Sequence, residues 1–137
     1  MSQFRLDPKS PLTRLLDRLT LPLEKFSKEV LFDCRMCGQC VLHSTGLTCP
    51  MRCPKNLRNG PCGGVRANGQ CEVFPDKPCV WVQAITTAPK LPLWRDHVFH
   101  LMPPVNWRLQ DTSSWINLFT GQDQVRPVGW TEIKLHD

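Results

Sequence analysis

The sequence lacks the segments and motifs that mark several large classes of protein. No apolar run approaches the length needed to cross a membrane, and the first eight residues contain no apolar core of a signal peptide. The chain has no GxGxxG, Walker or HExxH motif, and no serine, histidine and carboxylate at triad spacing. These absences predict a cytoplasmic protein that does not contact membranes and has no nucleotide-binding or hydrolytic site of its own.

Uninterrupted periodic segments are also scarce. The 137 residues include 13 prolines and 8 glycines, which interrupt helices and strands. A chain of this length forms a single small domain with a limited apolar core. Metal commonly holds such domains together, because ligand bonds supply folding energy that apolar burial cannot. We therefore predict a small, metal-stabilised, helix-rich and otherwise irregular domain.

Cysteine is absent from both ends of the chain and concentrated in its middle. In a reducing compartment, clustered cysteines bind metal more often than they form disulfides. We therefore predict that all eight are metal ligands and hold the cofactor, within a cysteine-rich metal-binding domain over residues 33–88. The spacing does not show which of them share a site. The eight residues are Cys34, Cys37, Cys40, Cys49, Cys53, Cys62, Cys71 and Cys79.

The first three cysteines favour iron. Cys34, Cys37 and Cys40 are each separated by two residues, which lets successive sulfurs bind different irons of one 4Fe-4S cluster. The wider spacing of the other five suits zinc equally well. We expect one or two 4Fe-4S clusters, with zinc in place of one as the alternative. Glycines in this region are expected to turn backbone N–H groups towards the sulfurs.

Histidines are expected to play a secondary part. His43 is the only histidine among the cysteines, and eight cysteines already fill two sites, so a structural role is favoured over ligation. His97 and His100, three residues apart, are interpreted as a partner-facing pair.

The formal charge of +5 does not predict a nucleic-acid partner. An oxidised 4Fe-4S cluster with four thiolates carries a charge of about −2, so two clusters would reduce the total to roughly +1. Basic residues near the cysteines are then expected to compensate buried negative charge locally rather than to bind phosphates. These residues are Arg35, Arg52, Lys55, Arg58 and Arg66.

Residues 1–32 are predicted to form two amphipathic helices. Ser10 and Pro11 fit the N-cap and first position of the first helix, and Pro22 ends or restarts it. The second helix runs to Phe32, with its charged residues, Glu24, Lys25, Lys28 and Glu29, facing outwards. The helices serve either as lids over the metal or as a docking surface. Their apolar positions are Leu12, Leu15, Leu16 and Leu19, then Leu23, Phe26 and Val30.

Residues 89–137 are predicted to form an extended arm, rich in tryptophan and proline, that binds a partner. Only residues 80–88 form a continuous helix or strand beyond the cysteines, because prolines interrupt the remainder of the chain. Widely spaced aromatic rings can fill pockets on a neighbouring surface. Trp81 fits this role and a second one, shielding the metal, equally well. The other tryptophans are Trp94, Trp107, Trp115 and Trp130.

Three motifs together resemble a known family. They are CxxCGxC from Cys34, TGxxCPMxCPKxLRNGPCGG over 45–64, and GxCEVxP over 69–75, followed by CVW at Cys79. This pattern resembles the cysteine-rich C-terminal domain, or separate small subunit, of a branch of bacterial methylenetetrahydrofolate reductases. Glycine, proline and asparagine positions match along with the cysteines, over residues 30–85.

The resemblance implies a partner and a function. The partner would be a flavin-dependent methylenetetrahydrofolate reductase subunit, a (β/α)8 barrel that carries FMN or FAD. This chain would be the iron-sulfur subunit beside it, with all eight cysteines as ligands, and would relay electrons to the flavin without being catalytic itself. The alternative is a purely structural zinc or iron-sulfur module that scaffolds the partner without a redox role.

Overall fold

The structure is a computed structural model that describes residues 7–126 and 128–129. Three α-helices lie in this range: α1 at Pro11–Phe32, α2 at Val80–Thr87 and α3 at Ser114–Thr120. No sheet forms within the described residues, which contain only the isolated bridges Val65–Cys71 and Gln70–Pro78. The prediction of a small domain of helices and irregular loops is confirmed. Short 3-10 turns lie at Pro50–Arg52, Ala88–Lys90, Arg95–Phe99, Trp107–Leu109 and Gln122–Gln124.

None of the helices in the described part of the chain is both long enough and apolar enough to cross a membrane.

Helix α1 is one continuous helix, so the predicted break at Pro22 is wrong. The predicted start, with Ser10 as N-cap and Pro11 at the first position, is confirmed, and so is the end at Phe32. Pro22 removes one N–H donor, which leaves the carbonyl group of Arg18 without its helical partner. Both residues are exposed, so water can bond that carbonyl and the helix continues.

The buried side of α1 is polar, so the prediction is wrong for two of its four charged residues and for most of its apolar residues. Glu24 and Lys28, predicted to face outwards, are buried. In contrast, Leu23, Phe26 and Val30 are 65%, 70% and 69% exposed. We call the exposed row the apolar stripe. It consists of Leu12, Leu15, Leu19, Leu23, Phe26 and Val30, all more than half exposed.

Hydrogen bonds from α3 explain this orientation. The Glu24 carboxylate accepts bonds from the hydroxyl groups of Ser113 and Ser114 and from the Ser114 backbone N–H. Lys28 donates to Glu24 Oε1 at 2.6 Å and to Ser114 Oγ at 2.6 Å. Burial alone would raise the pKa of Glu24, but the hydrogen bonds from Lys28, Ser113 and Ser114 outweigh it and leave the pKa lowered. The carboxylate is therefore charged and fully bonded.

The segment after α2 folds back onto the cysteine loops, so the structure does not show an extended arm. The side chains of Gln110 and Asn117 donate to the backbone carbonyl groups of Arg35 and Gly38, both at 2.8 Å. The backbone N–H of Asp111 donates to the Met36 carbonyl group at 2.8 Å. Residues 110–117 therefore cover the loop over residues 34–40, which carries the first three cysteines, instead of leaving the domain.

Most tryptophan rings still reach the surface. Trp81, on α2, is 4% exposed and donates from Nε1 to the Leu57 carbonyl group at 3.0 Å, so it packs inside the domain. Trp94, Trp107 and Trp115 are each between 40% and 56% exposed. Their availability to a partner stays a prediction, and Trp130 lies outside the described residues.

Candidate metal centres

The structure divides the eight cysteines into two sets of four, each lining its own cavity. Cys34, Cys37, Cys40 and Cys49 border a small cavity of about 20 Å³, which we call the first site. As the sequence predicts, the three closely spaced cysteines lie together. The fourth member, Cys49, comes from the segment just before the turn at Pro50–Arg52, which the Cys-Pro pair begins. This pairing could not be read from the spacing.

Backbone N–H groups hold several of the cysteine sulfurs in place. The N–H of Met36 lies 3.3 Å from Cys34 Sγ, and the N–H of Leu42 and of Met51 likewise donate to Cys40 and Cys49. In each pair the donor follows the cysteine by two residues. Such N–H groups stabilise thiolates and orient them towards a metal. None of these three donors is itself a glycine.

The thiols of the first site influence one another's ionisation. The Cys34 thiol donates a hydrogen bond to Cys49, which raises the pKa of Cys34 and lowers the pKa of Cys49 to about 7. Burial raises the pKa of the Cys40 thiol, although part of that residue reaches the surface. Of this hydrogen-bonded pair, Cys49 is the thiol that ionises first, and the thiolate is the form that binds metal.

Two cations, Lys28 and Arg58, line the first site. Lys28 is neutralised by its ion pair with Glu24. Arg58 is 8% exposed and donates from Nη2 to the Gln39 carbonyl group at 3.0 Å. Its Nε and Nη1 atoms are buried and have no partner among the described residues. An uncompensated guanidinium thus lies beside four thiols, which is consistent with the predicted compensation of negative charge by Arg58.

Cys53, Cys62, Cys71 and Cys79 line a larger cavity of about 210 Å³, which we call the second site. The loop over residues 64–79 brings its last two members together: the Cys71 N–H donates to the Lys77 carbonyl group and the Cys79 N–H to the Gly69 carbonyl group. Cys79 then serves as the N-cap of α2. The helical alternative predicted for the segment after Cys79 is confirmed.

The second site is larger and more basic than the first. Cys62 is exposed, and its sulfur lies 3.3 Å from the Gly64 N–H and 3.5 Å from Lys55 Nζ. Gly64 is the glycine donor that the sequence led us to expect. Lys55 also pairs with Glu72. The buried ring of Trp81 forms part of the wall, and its role in shielding a metal stays a prediction. The basic lining residues are Arg35, Arg52, Lys55 and Lys77.

The donor sets fit metal groups with four thiolate ligands. All eight cysteines are free thiols. Within residues 7–126 and 128–129, no three histidine, cysteine or acidic side chains are arranged to hold a single metal ion. Each set instead surrounds a cavity, and the first cavity carries the unpartnered Arg58 donors. A tetrathiolate metal group is anionic and would provide the negative charge that pairs with the Arg58 guanidinium.

The three histidines in the described part of the chain lie outside both sites. His43 is exposed, and its ring contacts Trp94 and His97, with centroids 5.7 Å and 5.9 Å apart. His97 also lies against His100 at 4.8 Å. The contact between His43 and His97 was not predicted, because the two are more than fifty residues apart in the sequence.

Sequence reasoning missed Lys28 as a residue of the first site. Helical periodicity placed it on the outer face of α1, and its buried partners lie far along the chain, in α3. No local signal identifies such a residue. Arg66, expected to compensate cluster charge, lines neither site.

Comparison with known proteins identifies the family of the chain. A family model described as methylene-tetrahydrofolate reductase C terminal matches residues 14–108, which is more than half of the 137 residues. No curated protein and no solved structure matches the chain significantly. The matched range includes most of α1, both four-cysteine sites and α2. The resemblance noted in the sequence is confirmed, and the chain belongs to the family of methylene-tetrahydrofolate reductase C-terminal domains.

Proposed function

We propose that this chain is the iron-sulfur subunit of a methylenetetrahydrofolate reductase, a non-catalytic component that passes electrons to a flavin on a barrel-shaped partner. The observation that carries the proposal is the division of eight free cysteines into two four-thiol sites. Bound 4Fe-4S clusters would supply one-electron transfer, while the flavin performs the two-electron chemistry on folate. A reducing, cytoplasmic setting would keep the thiols available for metal.

The two sites are suited to act in sequence. Cys49 of the first site and Cys53 of the second flank a single 3-10 turn. Four residues of chain can span at most about 14 Å, so the two sites must be neighbours. The first site is walled by Met36, Leu42 and Met51, which are buried. Each site also has one exposed cysteine, Cys40 in the first and Cys62 in the second, where a donor or acceptor can approach.

A partner subunit is supported by the exposed apolar surface. The apolar stripe runs along α1 and faces away from α3 and the metal sites. Contiguous apolar surface of this extent typically marks a protein interface. The family is described as the C-terminal part of a reductase, which supports a catalytic part as the neighbour of this domain. We infer that the flavin-bearing barrel, carrying FMN or FAD, covers the stripe.

A purely structural role is the second candidate, and one observation favours it. Residues 33–79 contain only one 3-10 turn and two isolated bridges, so ordinary secondary structure does little to hold this region. Ligand bonds from eight cysteines to zinc or to iron-sulfur clusters would stabilise it. The metal would then present the stripe to the partner without carrying electrons.

Purification of the complex under anaerobic conditions distinguishes the two candidates. Electron relay requires about eight iron and eight acid-labile sulfide per chain, if both sites hold 4Fe-4S clusters, together with a flavin-bearing subunit in the same fraction. The visible absorption of the clusters should bleach on reduction and recover as the flavin is reduced. Zinc without iron in the purified complex would eliminate electron relay and leave the structural role.

A further inference from the structure

The guanidinium of Arg58 is buried, and its burial destabilises the fold unless an anion pairs with it. Its side chain is buried, with 8% of the residue exposed, and only Nη2 has a partner, the Gln39 carbonyl group. Nε and Nη1 donate to nothing within the part of the chain that the structure describes. Because both atoms are buried, bulk water does not satisfy them. An unpaired buried charge costs several kcal/mol, so an anionic partner is required.

The first site is where that partner would lie. Arg58 lines the same cavity as the four thiols of this site. Lys28, the other cation there, is already bonded to Glu24 and Ser114. A zinc ion with four thiolates and an oxidised 4Fe-4S cluster with four thiolates both carry a charge of about −2. Arg58 therefore complements either occupant.

We propose that Arg58 is the counter-charge of the metal group in the first site and donates hydrogen bonds from Nε and Nη1 to its sulfur atoms. The inference rests on the proposed metal binding but not on electron transfer. It makes Arg58 a positioning residue that stabilises the bound group and, where that group is iron-sulfur, raises its reduction potential. Hydrogen bonds to sulfur and nearby positive charge both favour the more negative, reduced state.

Three variants of the metal-loaded chain test the proposal. Arg58→Met removes the charge and the donors but keeps most of the apolar volume, whereas Arg58→Lys keeps the charge and loses the planar set of donors. Arg66→Met is the matched control, because Arg66 is exposed and lines neither site. Metal release to EDTA is followed over time under anaerobic conditions, with tryptophan fluorescence as the measure of folding.

We expect half of the metal to leave Arg58→Met at least about tenfold faster than from the unaltered chain, the effect typical of losing a group that supports metal ligands. Arg58→Lys should lie between the two, and Arg66→Met should release its metal at the rate of the unaltered chain. If iron is bound, Arg58→Met should also lower the reduction potential of one cluster. If Arg58→Met does not fold, Arg58→Lys tests the proposal alone, and it should release metal faster than the unaltered chain.

Two failures have different meanings. A folded Arg58→Met or Arg58→Lys variant with unaltered release and potential would overturn the role of Arg58 while leaving metal binding intact. An unaltered chain that carries no metal would instead remove the proposed function on which the inference depends.

Discussion

At the scale of single residues, Gly38 shows how the cysteine loop and the returning segment fit together. It lies between Cys37 and Cys40 and adopts a φ of +73°, a conformation that side chains with a Cβ rarely take. A Cβ at this position would collide with the backbone carbonyl group of Leu109. The Gly38 carbonyl group meanwhile accepts a hydrogen bond from Asn117. The absence of a side chain therefore lets two distant segments meet beside the first site.

Gly38→Ala should destabilise the protein by about 2–5 kcal/mol, combining the cost of positive φ with that of a backbone collision. Gly69→Ala is the control, because Gly69 has a φ of +82° but open space around its Cα. It should cost only about 1–2 kcal/mol, from conformation alone. Urea unfolding followed by tryptophan fluorescence measures both. Equal losses in the two variants would show that the close approach to Leu109 contributes nothing.

At the scale of secondary-structure elements, the pairing of α1 with α3 depends on a buried polar cluster. Glu24 is fully buried and is the shared acceptor for Lys28, Ser113 and Ser114. Its lowered pKa means that this contribution to stability is present above the pKa of an unfolded glutamate and is lost as the pH falls through the folded value. The pairing of the two helices is thus sensitive to acid.

Glu24→Gln should reduce the free energy of unfolding by about 3–5 kcal/mol, because it leaves the Lys28 ammonium buried without a negative partner. Glu29→Gln provides the comparison: its partner Lys25 lies 3.8 Å away, with both side chains about half exposed, so the loss should stay below about 1 kcal/mol. Thermal unfolding followed by circular dichroism reports on both variants. A Glu24→Gln protein as stable as Glu29→Gln would contradict this account of the pairing.

The apolar stripe is the second feature at this scale. Its successive spacings are three, four, four, three and four residues, an 11-residue repeat that keeps the side chains on one nearly straight line. Sequence periodicity identified these residues correctly as one face but could not show what covers it. The polar cluster with α3 lies on the buried side of α1, where the apolar residues were expected to lie.

Replacing Leu19 and Leu23 with lysine should leave the isolated chain folded, because both side chains are about 65% exposed and surface changes are usually within about 0.5 kcal/mol each. The same double variant should lose the flavin that co-purifies with the tagged chain. Leu93→Lys is the control, since Leu93 is similarly exposed but lies outside α1. Retention of flavin by the double variant would exclude the stripe as the partner surface.

At the scale of the whole molecule, the sequence predicted what local patterns determine. It predicted the start of α1 at Pro11, the grouping of Cys34, Cys37 and Cys40, and the family. It could not predict that residues 110–117 return to the first cysteine loop, because the acceptors there are backbone carbonyl groups, which every residue has. An aromatic, proline-rich composition was therefore interpreted as an arm.

The assignment of cysteines to sites was beyond the sequence for a similar reason. Their spacings allow the two sets to interleave, as they do in two-cluster ferredoxins. In this fold the sets are consecutive instead, because the turn at Pro50–Arg52 leads the chain from one cavity to the other. The geometry of this single turn decides the pairing, and spacing alone does not reveal it.

The most direct test of this account is the metal content of two variants, one from each set. Cys37→Ser should lose the metal of the first site and keep that of the second, and Cys71→Ser should do the reverse. Each folded variant, checked by circular dichroism, should therefore retain about half of the metal of the unaltered chain under anaerobic conditions. A folded variant that loses all of its metal, or none, would contradict the division of the eight cysteines into two independent sites.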